Sequence, residues 1–118
     1  MKLFKSLPFY KRSNYSTACN NLSLTTHLQK RSFIQKGKEK IFIPKASFTI
    51  ISTLMDVPHK TVSRSALVFY LEQAYHHEIL DNTLTVHIAS IRRLLGDEYI
   101  KTHKTVGYFW DFDVFKVG

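Results

Sequence analysis

Four sets of residues in this 118-residue sequence invite a chemical reading. His76-His77-Glu78 sets three metal-ligand side chains in a row. A helical zinc pair, however, needs histidines at i and i+4, and no cysteine lies near. Cys19 is the one cysteine; it has no evident base beside it and is not expected to act as a nucleophile. The four glycines, Gly37, Gly96, Gly107 and Gly118, are too scattered to build a phosphate-cradling loop. No catalytic, metal or cofactor site is expected, and an enzymatic reading has little to stand on. The remaining group is Asn82, Thr83, Val86, His87, Ala89, Ser90, Arg92 and Arg93. Asn can pair bidentately with adenine and Arg with guanine, while Val or Ala can touch a thymine methyl.

These residues need a helix to present them. Leu84, Ile88, Ile91 and Leu95 recur at i, i+4, i+7 and i+11, which predicts a helix from about Asn82 to Leu95 with one core-facing stripe. Asp81 is the expected N-cap and Gly96 the C′ residue. With Leu84 at the centre of the buried face and about 100° per residue, Asn82, Val86, Ala89 and Arg93 point away from the core. Thr83 and Ser90 lie close by, and His87 and Arg92 lie on the flanks. Taken singly, each has a plainer role. Two arginines near a helix C-terminus favour its dipole, and His87 can pack beside the core.

Two further helices are predicted upstream. Phe48, Ile51, Leu54 and Met55 recur at three and four residues, so Pro44 to Asp56 reads as helical, with proline in the first turn and Val57-Pro58-His59-Lys60 as the stop. Ser63 is a good N-cap for a short helix from Arg64 to Glu72 with Leu67, Val68 and Leu71 inward. Exposed N–H groups at that helix N-terminus, with the Ser63 hydroxyl, could hold a phosphate. Gln73 to Leu80 has no clear period and reads as a loop.

Strands flank the helices. In Asn21 to Ile43, Leu22 and Leu24 alternate with polar residues. Phe33-Ile34 and Ile41-Phe42-Ile43 flank the turn Gln35-Lys36-Gly37-Lys38. Tyr99 to Thr102 and Gly107 to Trp110 form a terminal hairpin around His103-Lys104-Thr105-Val106. The expected class is α+β, a winged helix-turn-helix with an N-terminal antiparallel sheet, three helices and a C-terminal β-hairpin wing. Residues 21–118 form this domain and residues 1–20 a basic arm in which Leu3, Phe4, Leu7, Phe9 and Tyr10 show no period.

Hydrophobic residues are 44% of the chain and aromatics 14%, which argues against disorder throughout. A single cysteine rules out an internal disulfide framework and fits a reducing compartment. Apolar runs fall far short of the roughly 20 residues that span a bilayer, and Met1 to Phe9 lacks the apolar stretch of a signal peptide. The net charge is +8. Residues 1–40 carry all of it, with Lys2, Lys5, Lys11, Arg12, Lys30, Arg31, Lys36, Lys38 and Lys40 against Glu39 alone, while residues 41–80 and 81–118 are each neutral. A polyanionic partner is therefore expected, but the helix-turn-helix half contributes nothing to the excess.

Asn82 to Asp97, followed by Tyr99-Ile100-Lys101-Thr102 and Gly107-Tyr108, resembles the C-terminal effector domain of OmpR/PhoB-type bacterial response regulators. The family pattern there is RTVDVHISRLRRKLG followed by IRTVRGVGY. Ile43-Pro44-Lys45-Ala46-Ser47-Phe48 is similar to the family's LTPTEF, and Val62-Ser63-Arg64-Ser65-Ala66-Leu67 to VVSREEL. The likeness covers roughly residues 21–112 and runs without gaps over 41–67 and 82–102. It implies a sequence-specific, DNA-binding transcriptional regulator. It maps base or phosphate contacts onto Asn82, Thr83, Val86, His87, Ala89, Ser90 and Arg92, a wing contact onto Lys104 with Thr102 beside it, and an RNA polymerase contact onto Gln73 to Leu80.

Several positions depart from the family. Asn82, Ala89 and Ser90 stand where many relatives carry Arg, Lys104 stands for the wing Arg, Thr105 for a wing Gly, and Pro44 for the capping Thr. A phosphorylated receiver domain does not fit in forty N-terminal residues. ToxR/CadC-type regulators place this domain at the N-terminus before a membrane helix, and no such helix is expected here. Double-stranded DNA is the expected partner, with pairing of copies on DNA and a cytoplasmic, nucleoid-associated location. The alternative is a winged helix that acts on RNA polymerase or another regulator without reading bases.

Overall fold

The computed structural model describes residues 14–19, 22–27 and 33–117; the rest, including residues 1–13 of the basic arm, lie outside the described residues. The order is β1 (Asn14–Cys19), β2 (Leu22–His27), β3 (Phe33–Lys36), β4 (Glu39–Phe42), α1 (Lys45–Asp56), β5 (Val62–Ser63), α2 (Arg64–Tyr75), α3 (Asp81–Leu95), β6 (Ile100–His103), β7 (Gly107–Trp110) and β8 (Phe115–Val117). The α+β winged-helix class is the one observed.

The first four strands and β8 form a five-stranded antiparallel sheet in the order β4-β3-β2-β1-β8. β3 and β4 join through Gly37-Lys38, with Gly37 at φ 60, a left-handed conformation that glycine adopts at no steric cost. The turn is thus two residues long, and Gln35 and Lys36, expected in the turn, belong to β3. Two features of this sheet were not expected. β1 occupies Asn14–Cys19, inside the segment read as an arm, and β8 pairs with β1 through Asn14↔Val117 and Ser16↔Phe115. Asn-Tyr-Ser-Thr-Ala-Cys has no apolar alternation, so its strand conformation rests on ladders to the adjacent β2 and to β8 at the other end of the chain. Thr17 Oγ1 also donates to the Asp113 carbonyl, tying β1 to the segment before β8.

α1 begins at Lys45 rather than at Pro44. Pro44 is the N-cap, with extended φ −60 and ψ 154, and its carbonyl accepts from Phe48 N at 2.9 Å. α1 packs against α2, α3 and β7, and its buried residues share one core cluster with Ile34, Leu67, Leu71, Leu84, Ile88, Ile91, Tyr108 and Trp110.

α2 runs three residues further than expected, to Tyr75. Ala74 continues the stripe of Leu67 and Leu71 and is buried with them. Lys45 Nζ donates to the Ala74 carbonyl at 3.0 Å and lies 5.3 Å from the Tyr75 ring centroid, so a cation from α1 satisfies the last turn of α2. His76 ends the helix in the left-handed region at φ 61. The loop between α2 and α3 therefore shortens to 76–80.

The second sheet has the order β5-β7-β6. The expected hairpin is its β6 and β7, paired as Ile100↔Trp110 to His103↔Gly107, and the unexpected β5 adds Val62↔Tyr108 and Ser63↔Gly107. β6 starts at Ile100 rather than Tyr99, whose ring is buried and stacked on Trp110 at 5.4 Å.

Candidate nucleic-acid interface

α3 is held by the stripe its spacing predicts: Leu84, Ile88, Ile91 and Leu95 are all buried. The opposite face is open. Asn82, Val86, Ala89 and Arg93 are exposed, and Thr83, His87, Ser90 and Arg92 are half-buried on the flanks. Val86 is 63% exposed, a large apolar side chain turned to solvent on a helix with a fully formed core face. Asn82, His87, Ser90 and Arg93 make no side-chain hydrogen bond among the described residues.

The N-terminus of α3 differs from expectation. The N-cap is Leu80, in extended conformation and without a side-chain cap bond, and Asp81 is already helical. Thr83 N closes the first turn on the Leu80 carbonyl at 3.1 Å. The Asp81 carboxylate is drawn away from capping by Arg64 at the start of α2. Arg64 Nε reaches both carboxylate oxygens at 3.2 Å and Nη2 reaches Oδ2 at 2.9 Å. Nη2 also donates to Thr85 Oγ1 at 2.7 Å and Nη1 to the Tyr108 hydroxyl at 2.7 Å. The hydrogen bonds to Asp81 hold the guanidinium above the ordinary arginine range. Arg64 thereby joins the first turns of α2 and α3 to the wing. Sequence reasoning placed it only as part of a motif; its one signal is that it follows a capping Ser at the helix-turn-helix entry.

Ser63 is the N-cap of α2, its Oγ accepting from Ala66 N at 3.1 Å, as its position predicts. It is also the last residue of β5, so the helix entry and the wing share a residue. The approach there is close: a Cβ on Gly107 would lie 2.0 Å from the Val62 carbonyl oxygen. Arg64 N bonds the Val106 carbonyl at 3.2 Å, and Thr61 Oγ1 lies 2.9 Å from His103 Nδ1.

The wing tip is exposed from Lys101 to Val106. Val106 N bonds the His103 carbonyl at 2.9 Å, and Thr105 has φ 65, the left-handed conformation for which the resemblance supplies glycine. The Lys104 ammonium has no partner among the described residues. Thr102, its neighbour on β6, is not free: its Oγ1 accepts from Arg92 Nη2 at 3.0 Å. Asn82, Val86, Ala89 and Arg93 thus share the exposed face of α3, Lys104 is exposed at the wing tip, and Arg92 and Thr102 turn towards each other.

The other chemical candidates stay apart. His76 is the cap of α2 and His77 Nδ1 lies 2.9 Å from the Glu78 carbonyl. Glu72 Oε2 accepts from Ile79 N at 3.0 Å and shapes the α2–α3 loop, which leaves Leu80 66% exposed. No helix among the described residues is long and apolar enough to cross a membrane.

Residues 37–110 match the family described as transcriptional regulatory protein, C terminal. Regulatory protein VirG of Agrobacterium fabrum is 28% identical over 95 residues, covering 76% of this chain and 37% of that protein. Response regulator protein GraR of Staphylococcus aureus is 33% identical over 81 residues, covering 64% of this chain and 35% of that protein. The chain therefore spans little more than a third of the length of these relatives. Among solved structures, the response regulator DrrB, a Thermotoga maritima OmpR/PhoB homologue, superposes with a TM-score of 0.64 at 25% identity, over 75% of this chain and 41% of that one. The C-terminal domain of the nisin resistance regulator NsrR shares the fold, with a TM-score of 0.62 at 24% identity over 73% of this chain and 91% of that one.

Proposed function

Since this chain belongs to the OmpR/PhoB-type family of transcriptional regulatory C-terminal domains, a DNA-binding and non-enzymatic family, we propose that it binds double-stranded DNA as a sequence-specific transcriptional regulator. α3 lies in the major groove and the wing tip on the adjacent minor groove or backbone. One observation carries this reading. α3 is fixed by four buried residues and leaves Asn82, Val86, Ala89 and Arg93 exposed on its other face.

In this reading Asn82, Val86, Ala89 and Arg93 face base edges, with Thr83, His87 and Ser90 at the margins of the groove. Ser63 and the first turn of α2 approach a phosphate. Asn82, Ala89 and Ser90 supply no charge where many relatives have Arg, so phosphate attraction falls to Arg93, Lys104, Lys101 and the cations of residues 1–40. The exposed Leu80 on the short loop after α2 suits a contact with RNA polymerase, and copies pair or align in tandem on DNA. The location that follows is cytoplasmic and nucleoid-associated.

Fluorescence anisotropy against random-sequence duplex over a salt series tests the reading. Binding with a steep negative salt slope is expected, followed by enrichment of a defined site when the protein selects from a random library. Absence of binding at low salt defeats the proposal and favours a winged helix that acts on protein partners.

A further inference from the structure

Arg92 and Arg93 are sequence neighbours with opposite surroundings. Arg93 is exposed, and its guanidinium has no hydrogen-bonded partner among the described residues. Arg92 is half-buried and directed at the wing. Its Nε and Nη2 donate to the Ile100 carbonyl at 3.2 and 2.8 Å, and Nη2 also donates to Thr102 Oγ1 at 3.0 Å. β6, which carries both acceptors, is an outer strand of the three-stranded sheet. Arg92 supplies donors along it where a further strand would otherwise stand. The Arg92 guanidinium also lies 5.8 Å from the Tyr108 ring centroid, and Arg64 lies 5.7 Å from the same centroid. Tyr108 on β7 is therefore engaged by one arginine from each helix of the helix-turn-helix.

A short hairpin is marginal by itself and takes its orientation from what it is fastened to. Here β5 and Arg64 fasten the β7 side to α2, and Arg92 fastens the β6 side to α3. A bidentate pair with guanine needs two adjacent N–H donors of one fork, and on Arg92 the Nε and Nη2 donors are already taken.

We propose that Arg92, with Thr102 as its acceptor, is a positioning residue: it fixes the wing against α3 so that Lys104 meets the DNA backbone beside the groove that α3 occupies. This rests on the DNA-binding reading above. Arg92 acts on DNA through Lys104, and its removal frees the wing rather than removing a contact of its own.

The test compares wild type, Lys104→Ala, Arg92→Ala and the double variant, each on one fixed duplex selected by the wild-type protein, by anisotropy over a salt series. Lys104→Ala is expected to reduce the salt slope by about 1, the loss of one phosphate contact. Arg92→Ala is expected to reduce it by about the same amount, and the double variant by about 1 again rather than about 2. A double variant that loses about 2 shows Arg92 holding its own phosphate and overturns the proposal. So does an unchanged slope in either single variant. If circular dichroism shows that Arg92→Ala does not fold, Arg92→Met, which keeps the aliphatic stem, takes its place in the cycle. Wild-type protein that fails to bind any duplex at low salt defeats the DNA-binding reading itself, an outcome separate from additivity within the cycle.

Discussion

α1 and α3 both carry apolar residues at three- and four-residue spacing and meet opposite fates. α1 buries ten of its 12 residues, whereas α3 buries four of its 15. Between Lys45 and Asp56 the first helix carries no charged side chain, and its two threonine hydroxyls turn inward on its own backbone. Thr49 Oγ1 donates to the Lys45 carbonyl at 2.8 Å, and Thr53 Oγ1 to the Thr49 carbonyl at 2.7 Å. Such a helix has nothing left to offer a ligand. α3 keeps a stripe of the same kind and leaves its other face open, with Val86 and Leu94 exposed among small and polar residues. A helix becomes a reader not through a better apolar face but through neighbours that cover one side only.

The strongest test of this contrast is in the two stripes. Leu54→Ala or Ile51→Ala in α1 and Leu84→Ala or Ile91→Ala in α3 are each expected to lose about 2–5 kcal/mol in urea unfolding. Much smaller losses in α3 would mean that something other than its stripe holds the helix. Next, Gly107→Ala drives a Cβ into the Val62 carbonyl and is expected to cost about 1–3 kcal/mol and to loosen the wing from α2. On the open face of α3 the effects separate. Asn82→Ala is expected to change stability by less than about 0.5 kcal/mol while losing about 1–3 kcal/mol of base discrimination at one position of the selected site. Ser63→Ala removes the cap of α2 and is expected to cost about 1 kcal/mol.

The smallest expected effect concerns residues 1–13, which hold Lys2, Lys5, Lys11 and Arg12. Their deletion spares β1, leaves stability and sequence preference in place, and lowers the salt slope of binding. A changed preference would mean that bases are also read from outside α3.

Much of the fold is legible in short-range pattern. A four-residue stripe at 3.6-residue spacing specifies α3 and which way it faces, because every inward position must be apolar. The weak points are elements whose reason lies elsewhere in the chain. β1 is a strand because it pairs with β2 and β8, and β8, only three residues long, because it pairs with β1. Gln73 to Tyr75 extend α2 because Lys45, 29 residues before its acceptor Ala74, satisfies the helix end. At the candidate site, exposure of Asn82, Val86, Ala89 and Arg93 follows from the wheel alone.

The partners of the polar side chains do not follow from it. Asp81 has the composition and position of an N-cap, yet it is helical and paired with Arg64. Arg92 and Arg93 are one residue apart and identical in type. One is bound to the wing and the other is free, because 100° of helical rotation carries the first towards β6 and the second away from it. Periodicity is a local property and assigns a face. Hydrogen-bond partners in a folded chain are set by whichever strand or helix the topology brings alongside, so the same residue type becomes a reader or a brace according to what lies next to it.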